Sequence, residues 1–416
     1  MMIRSLVPVV LWAGLSLQAP TLDSRADDRA TNSLRFNSNG EFKLAIFEDL
    51  HFGETNRVAT AEDAWEAWGP ANDKKTVQIM GDILDGAKPD FVVLNGDLIT
   101  GENAFLENAT FVLDQLVRPM LDRSMPWAST YGNHDYQFNI SGADILAREG
   151  QWANSRTRKM VDGDVGVSNY YLPVYAADCT KDDCAPELLL WFFDSRGGFR
   201  SMEKDTSGKQ VGQPNWVDAR VVNWFKSTNA GLVDKHKKNI SSLAFVHIPP
   251  EASRAIQAKG MIDSSKQPGI NQDNPLSQQA QGWCSDGSNK DSCSYGGQDK
   301  PFMEAITGTP GVLAVFSGHD HGNSWCYKWS GAVDGLSVQG TGVNLCFGQH
   351  SGYGGYGNWI RGSRQVSVTR DKLAKGEVDT WIRLESGNTV GSVTLNSTYG
   401  EDRYPVTPDD RTSLSS

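Results

Sequence analysis

Asp49-Leu50-His51, Gly96-Asp97, Gly132-Asn133-His134-Asp135, His247 and Gly318-His319-Asp320-His321 are five short strings rich in side chains that donate lone pairs to metal ions. The chain has 7 histidines, and five of them fall in these strings. Neutral imidazole, carboxylate and amide oxygen together suit borderline divalent ions such as Mn, Zn or Fe, whereas an all-oxygen set would suit Ca or Mg. On an extended chain residues two apart point to the same side, so Asp49 with His51, and His319 with His321, can each reach one centre. By the same rule Asp320 points away and reads as structural. Glycines 96, 132 and 318 let the backbone turn sharply beside the donors. This pattern suits two ions side by side, with a shared carboxylate such as Asp97 bridging the roughly 3.5 to 4 Å between the ions of two-metal hydrolases.

The strings must be held in place, and each closes a short apolar run: KLAIFED, DFVVLNGD, PWASTYGNHD, SLAFVHIP and VLAVFSGHDH, with LLLWFFDS a sixth run of the same plan. Continuous apolar runs predict strands buried on both faces, and polar residues at their carboxyl ends are where open α/β sheets build sites. Helices are expected between them at about Asp73–Ala87, Glu102–Met120 and Trp216–Ser227, an alternation that predicts an α/β layered fold. Beyond His321, short segments at Leu336–Gln339, Asp379–Leu384 and Ser392–Leu395 predict a second, largely antiparallel sheet. Residues 41–400 read as one catalytic domain, with a flexible segment at 20–40 and a flexible tail at 401–416. Pro249–Lys300 is an irregular insertion rich in Gln, Ser, Asp and Gly. It reads either as a lid or substrate wall or as a tolerated surface insertion.

Composition narrows the class. With 416 residues, 39% hydrophobic and 21% charged, the chain has the make-up of a globular protein. A net charge of −11 with no long basic run argues against stable nucleic-acid binding. It does not exclude a phosphate substrate, because bound divalent ions reverse the local field. A basic start at Met1–Arg4, the apolar stretch Leu6–Leu17 and the exit Gln18-Ala19 read as a signal peptide over residues 1–19. A buried N-terminal helix is the rival reading, interrupted by Pro8. The apolar stretch is too short to span a membrane, which needs about 20 residues. Six cysteines then fit local disulfides, Cys179 with Cys184, Cys284 with Cys293 and Cys326 with Cys346, better than a zinc site, since no finger-like spacing is present. Sequons at Asn108, Asn139, Asn239 and Asn396 agree with a secreted glycoprotein.

The ordered set DxH, GD, GNHD, FVH and GHDH resembles the calcineurin-like metallophosphoesterase family over Glu41 to about Thr398. Three longer strings, GHDHGNSWC, LCFGQHSGYGGYGNWIRGSR and WIRLE, resemble the fungal and plant purple-acid-phosphatase-like subgroup. The resemblance implies a four-layer sandwich, two central mixed β-sheets flanked by helices. It also implies two divalent ions (Mn, Zn or Fe), one held by Asp49, His51, Asp97 and His321 and the other by Asp97, Asn133, His247 and His319. The implied activity is phosphomonoester hydrolysis by attack of metal-activated hydroxide on phosphorus. Phosphodiester or nucleotide hydrolysis on the same centre, or a secreted binding protein without catalysis, are the alternatives.

In such an enzyme His134 would face the substrate and stabilise charge or protonate the leaving oxygen. Asp135 would either orient that imidazole or merely satisfy a backbone turn. Further on, Tyr353, Tyr356, Arg361 and Arg364 lie in a glycine-rich stretch, where they read either as a substrate wall with arginines paired to phosphate oxygens or as a surface patch. His350 is a further candidate beside them. One departure is informative. Purple acid phosphatases carry GDxxY, whose tyrosinate binds ferric iron, but here the string is Gly96-Asp97-Leu98-Ile99-Thr100, and their DxG is here Asp49-Leu50-His51. An imidazole in place of phenolate favours divalent over ferric iron.

Overall fold

A computed structural model describes residues 33–53, 70–101, 109–137, 139–180, 183–273 and 295–414, and from Leu34 onward the chain forms one compact unit. In chain order the first half contains β1 (Leu34–Arg35), β2 (Glu41–Phe47), α1 (Pro70–Ala87), β3 (Phe91–Asn95), α2 (Ala109–Leu121) and β4 (Trp127–Thr130). A single 3-10 turn (Asn133–Asp135), α3 (Gly142–Glu149), β5 (Tyr170–Tyr175), β6 (Leu188–Phe193), β7 (Phe199–Lys204) and β8 (Gln210–Gly212) follow. The second half adds α4 (Ala219–His236), β9 (Ser241–Val246), α5 (Glu251–Ala258), α6 (Lys300–Gly308), β10 (Val312–Ser317), β11 (Cys326–Gly331) and β12 (Gly340–Phe347). The last elements are β13 (Gly362–Thr369), α7 (Arg370–Leu373), β14 (Val378–Leu384) and β15 (Thr389–Leu395).

Two mixed sheets result, one in the order β1-β5-β6-β9-β10-β12-β11 and the other β15-β14-β13-β2-β3-β4, beside the separate hairpin β7-β8. Strands β2, β3 and β4 run parallel in one sheet, and β6, β9 and β10 run parallel in the other. Their apolar runs are buried on both faces because each sheet has two neighbours. Leu44, Ile46, Phe91 and Val93 meet Leu190, Phe192, Phe245 and Phe316 between the sheets. On the outer faces, Val92 and Leu94 pack on Ile79, Ile83, Leu113 and Leu116 of α1 and α2, while Trp191 and Val246 pack on Phe225, Ile256 and Phe302 of α4 to α6. This is the four-layer α/β/β/α sandwich expected.

Several expectations need correction. The strand expected at Leu336–Gln339 begins instead at Gly340, because Val333 to Leu336 form a hydrogen-bonded turn. Strand β13 reads as polar in the sequence, GSRQVSVT, yet it is almost wholly buried between β2 and β14. Segment 20–40 is not uniformly loose, since Leu34–Arg35 pairs in parallel with Val174–Tyr175. Residues 410–412 of the expected tail are anchored as well. Ile360 N–H donates to Asp410 O at 3.0 Å and Thr412 N–H to Asn358 O at 2.9 Å, and Arg411 lies over the Trp359 ring. Disulfides Cys179–Cys184 and Cys326–Cys346 are formed as expected. The proposed signal peptide, the Cys284–Cys293 pair and Asn108 lie outside the described residues. Among the described residues no helix is long and apolar enough to cross a membrane.

Candidate metal centre

The carboxyl ends of β2, β3 and β4 in one sheet and of β9 and β10 in the other converge on one point, so Asp49, Asp97, Asn133, His247 and His319 arrive from five strands. Loops 49–52 and 96–98 are joined by backbone hydrogen bonds from Asp49 N to Gly96 O, Leu50 N and His51 N to Asp97 O, and Phe52 N to Leu98 O. Four of the donors pay for this convergence with left-handed backbone: Asp49 (φ 52°), His51 (48°), Asp97 (48°) and His319 (77°). Such conformations cost about 1 to 3 kcal/mol each for side-chain-bearing residues and gather at functional sites. The glycines serve close approach: a Cβ at Gly96 would stand 2.4 Å from the His247 ring, and one at Gly132 2.3 Å from Asp97 Oδ1.

Three groups of side-chain donors lie within 4.8 Å of one another: Asp49, His51 and His321; Asp97, His247 and His319; and His51, Asp97 and His134. Asp97 Oδ2 is 3.0 Å from His247 Nε2 and 3.7 Å from His51 Nε2, so this carboxylate lies between the first two groups. Asp49 Oδ1 is 3.6 Å from His321 Nε2 and 3.8 Å from His247 Nε2. All seven of Asp49, His51, Asp97, Asn133, His247, His319 and His321 are buried.

The imidazoles are aimed from behind. His247 Nδ1–H donates to Asn95 O at 2.9 Å and His321 Nδ1–H to Tyr356 O at 2.8 Å, which directs each Nε2 at the centre. His51 Nδ1 is 2.9 Å from Thr100 Oγ1. The two departures from the purple-enzyme pattern therefore meet in space: the threonine in place of tyrosine supports the histidine in place of glycine.

Burial shapes the charges. It drives His51 down to about 3 and, with the charge of His247 adding to it, His319 also to about 3. His321 is pushed well below its ordinary value by burial and by His51. These rings are neutral donors. Burial, with Asp97 adding to it, raises Asp49 to about 7. For the Asp97–His247 pair burial opposes ionisation of both, but their mutual attraction wins, holding Asp97 well below the carboxylate range and His247 at about 10. The buried Asn133 Oδ1 and His319 Nε2 have no hydrogen-bond partner, an expense of roughly 1 to 3 kcal/mol apiece that a cation would remove. Neutral imidazoles, two carboxylates and an orphaned amide oxygen fit the borderline divalent ions.

Other sequence candidates have different surroundings. His134 is half-buried, its N–H donates to Asp97 Oδ1 at 2.8 Å, and its ring meets that of His51 edge-on at 4.9 Å. Asp135 does not orient that ring. Its carboxylate accepts N–H groups of Leu98, Ile99 and Gly132 at 2.9, 3.1 and 2.8 Å, locking two donor loops together. Arg364 is buried with its guanidinium on Phe347 O, Thr380 Oγ1 and Ser324 O. Arg361 is buried against Trp359 O and Gly357 O and lies over the Tyr353 ring, whose hydroxyl bonds Glu385 and Thr412. These three are internal struts rather than a wall facing a pocket: Arg361 satisfies carbonyls at the end of the glycine-rich loop, and Arg364 satisfies those of Phe347 and Ser324 outside it. His350 is buried, with Nε2 on Gly354 O and its ring 3.9 Å from that of His321, and Tyr356 stacks on His321. Sequence reading did not single out the supporting roles of Asn95, Thr100 and Asp273. Two of these, Asn95 and Thr100, follow or precede a motif by a few residues, whereas Asp273 carries no local signal.

A two-sheet α/β sandwich with a buried cluster of imidazoles and carboxylates at its strand ends defines a protein built to hold metal ions. The chain belongs to the calcineurin-like phosphoesterase family, whose model matches residues 42–323. Among related proteins, probable inactive purple acid phosphatase 29 of Arabidopsis thaliana is 25% identical over 374 residues, covering 85% of this chain and 84% of the relative. Phosphatase DCR2 of Saccharomyces cerevisiae is 25% identical over 384 residues, covering 87% of this chain and 57% of the relative. Among solved structures, a dimetal phosphatase from Danio rerio is similar with a TM-score of 0.49 and 12% identity, covering 85% of this chain and 98% of that one.

Proposed function

We propose that the protein is a secreted phosphatase that hydrolyses phosphomonoesters with two divalent ions. Asp49, His51, Asp97 and His321 would hold one ion and Asp97, Asn133, His247 and His319 the other. The observation that carries this reading is the gathering of Asp49, His51, Asp97, His247, His319 and His321 in adjoining groups that Asp97 links, all buried and four of them on left-handed backbone, with the buried Asn133 amide oxygen lacking a partner. When bound, the ions supply a nucleophile from water near neutral pH and positive charge for the phosphoryl oxygens. The chain's own residues do the rest. Nδ1 anchors on Asn95 and Tyr356 hold the His247 and His321 imidazoles with Nε2 aimed at the centre. His134, less buried than the seven, would stabilise charge on the substrate or protonate the leaving oxygen.

A non-catalytic reading is favoured by one observation, the word "inactive" in the names of the Arabidopsis relatives. The complete donor set argues for activity here. The deciding experiment loads purified protein with Mn, Zn or ferrous iron and compares an aryl phosphate with its bis-aryl diester, beside metal analysis and a visible spectrum. Two ions per chain, higher kcat/KM on the monoester and no tyrosinate-to-iron band are expected. Preference for the diester would make it a phosphodiesterase, and an inert, fully loaded protein would leave a binding role.

A further inference from the structure

The His321 imidazole is enclosed more closely than a ligand ring requires. Tyr356 stacks on it with ring centroids 4.0 Å apart and planes 11° from parallel, and His350 packs against it at 3.9 Å. Gly355, at φ 75°, lies so close that a Cβ there would stand 2.4 Å from His321 Cε1 and 2.7 Å from His51 Cδ2. The backbone carbonyl of Tyr356 takes the His321 Nδ1 proton. Its hydroxyl accepts the His321 backbone N–H at 3.1 Å and donates to Asp273 Oδ2. One residue therefore contacts the ring face, the ring nitrogen and the main chain of the same histidine.

Asp273 fixes Tyr356 from behind. Its carboxylate also accepts the N–H of Gly322 at 3.3 Å, and its carbonyl accepts from Asn323 Nδ2 at 3.1 Å. The segment before it runs along the 321–324 loop, with Gln272 N–H donating to Gly322 O at 2.8 Å and Ser324 N–H to Ile270 O at 2.9 Å. Asp273 is half-way into the insertion that follows His247, so a stretch of irregular chain is used to brace a ligand loop.

We infer that Tyr356, braced by Asp273, is a positioning residue for His321 that sets the affinity of one metal position, the one His321 forms with Asp49, His51 and Asp97. The inference rests on the two-ion reading above. Stacking and the carbonyl together define the rotamer and tautomer of the ring, so Nε2 is presented before an ion arrives. Without them the ring must be ordered by the ion itself, which lowers affinity at that position. The second position, served by His247 through Asn95, has its own brace, and Tyr356 reaches it only through a 3.5 Å contact of its hydroxyl with the His319 carbonyl.

The test is metal stoichiometry under a graded chelator challenge, with circular dichroism to confirm folding, on full-length wild type, Tyr356→Phe, Tyr356→Leu and Asp273→Ala. Partners of metal-ligating histidines typically change affinity by about 10- to 100-fold. Tyr356→Leu is expected to bind one of its two ions about 10- to 100-fold more weakly and to keep the other at wild-type affinity. Tyr356→Phe retains the stacked ring and should hold both ions unchallenged, but release the same ion first, as should Asp273→Ala. Should the leucine variant fail to fold, the phenylalanine and alanine variants decide. Unchanged affinity in the folded variants, or parallel loss of both ions as from general loosening, overturns the inference. Fewer than two ions in the wild type removes the reading beneath it, an outcome distinct from two ions in the wild type with indifferent variants.

Discussion

At Asp97 two demands meet, a backbone bent into the left-handed region and a carboxylate facing imidazoles on either side. The bent backbone costs energy, and the carboxylate is the donor proposed to serve both positions, so losing it should empty the site. Asp97→Asn and Asn133→Ala are expected to lose metal and with it most activity, whereas His134→Ala should keep metal and lose turnover by about 10² to 10⁴ if it donates the proton. Elemental analysis beside turnover checks both. Full occupancy in the first pair would sink the ligand assignment, and metal loss in the His134 variant would make that residue a ligand. At this scale the sequence was largely legible. Donor residues announce themselves because few side chains bind metals and i, i+2 spacing survives into the fold, as with His319 and His321. Residues that act through a hydrogen bond leave no such mark. Arg364 reads either as a phosphate binder or as part of a surface patch, and only its three buried acceptors reveal a strut.

Elements were legible where the run was apolar and continuous, as in β3 and β6, and illegible where burial rests on polar pairing, as in β13. The glycine-rich stretch 352–357 is the instructive case. Its glycines allow close approach to His51 and His321 but give the loop little stiffness of its own. Stiffness comes from the C-terminal segment through Ile360 N to Asp410 O, Thr412 N to Asn358 O and the Tyr353–Thr412 hydroxyl pair. At about 1 kcal/mol per hydrogen bond these three are worth roughly 2 to 4 kcal/mol. Deleting residues 405–416 should therefore lower stability by about that amount and expose the 352–361 loop to cleavage. Limited proteolysis read by mass spectrometry checks it; an unchanged cleavage pattern would return the tail to the status of a loose end.

For the whole molecule, net charge of −11 means that attraction of a phosphate ester has to be local, at the metal centre, rather than a property of the surface. The same acidity bears on stability, because some carboxylates are interior. Asp299 heads α6 and accepts the N–H of Glu251 at 2.7 Å, tying that helix to the start of α5 just beyond His247. Burial raises its carboxyl to about 7 in the folded chain, against about 3.9 unfolded. Between those values the folded state binds the extra proton, so the stabilisation is complete below about pH 4 and is lost as pH rises through about 7. From pH 5 to 7 the loss amounts to at most about 3 kcal/mol. Replacing Asp299 by Asn keeps an oxygen acceptor for Glu251 and removes the titration. Denaturant unfolding of metal-free protein at pH 5 and pH 7.5 should then show a smaller fall in stability for Asp299→Asn than for wild type. Equal falls would mean that the Asp299 carboxyl ionises in the fold as easily as in the unfolded chain, and that its hydrogen bonds from Glu251 and Tyr295 offset burial.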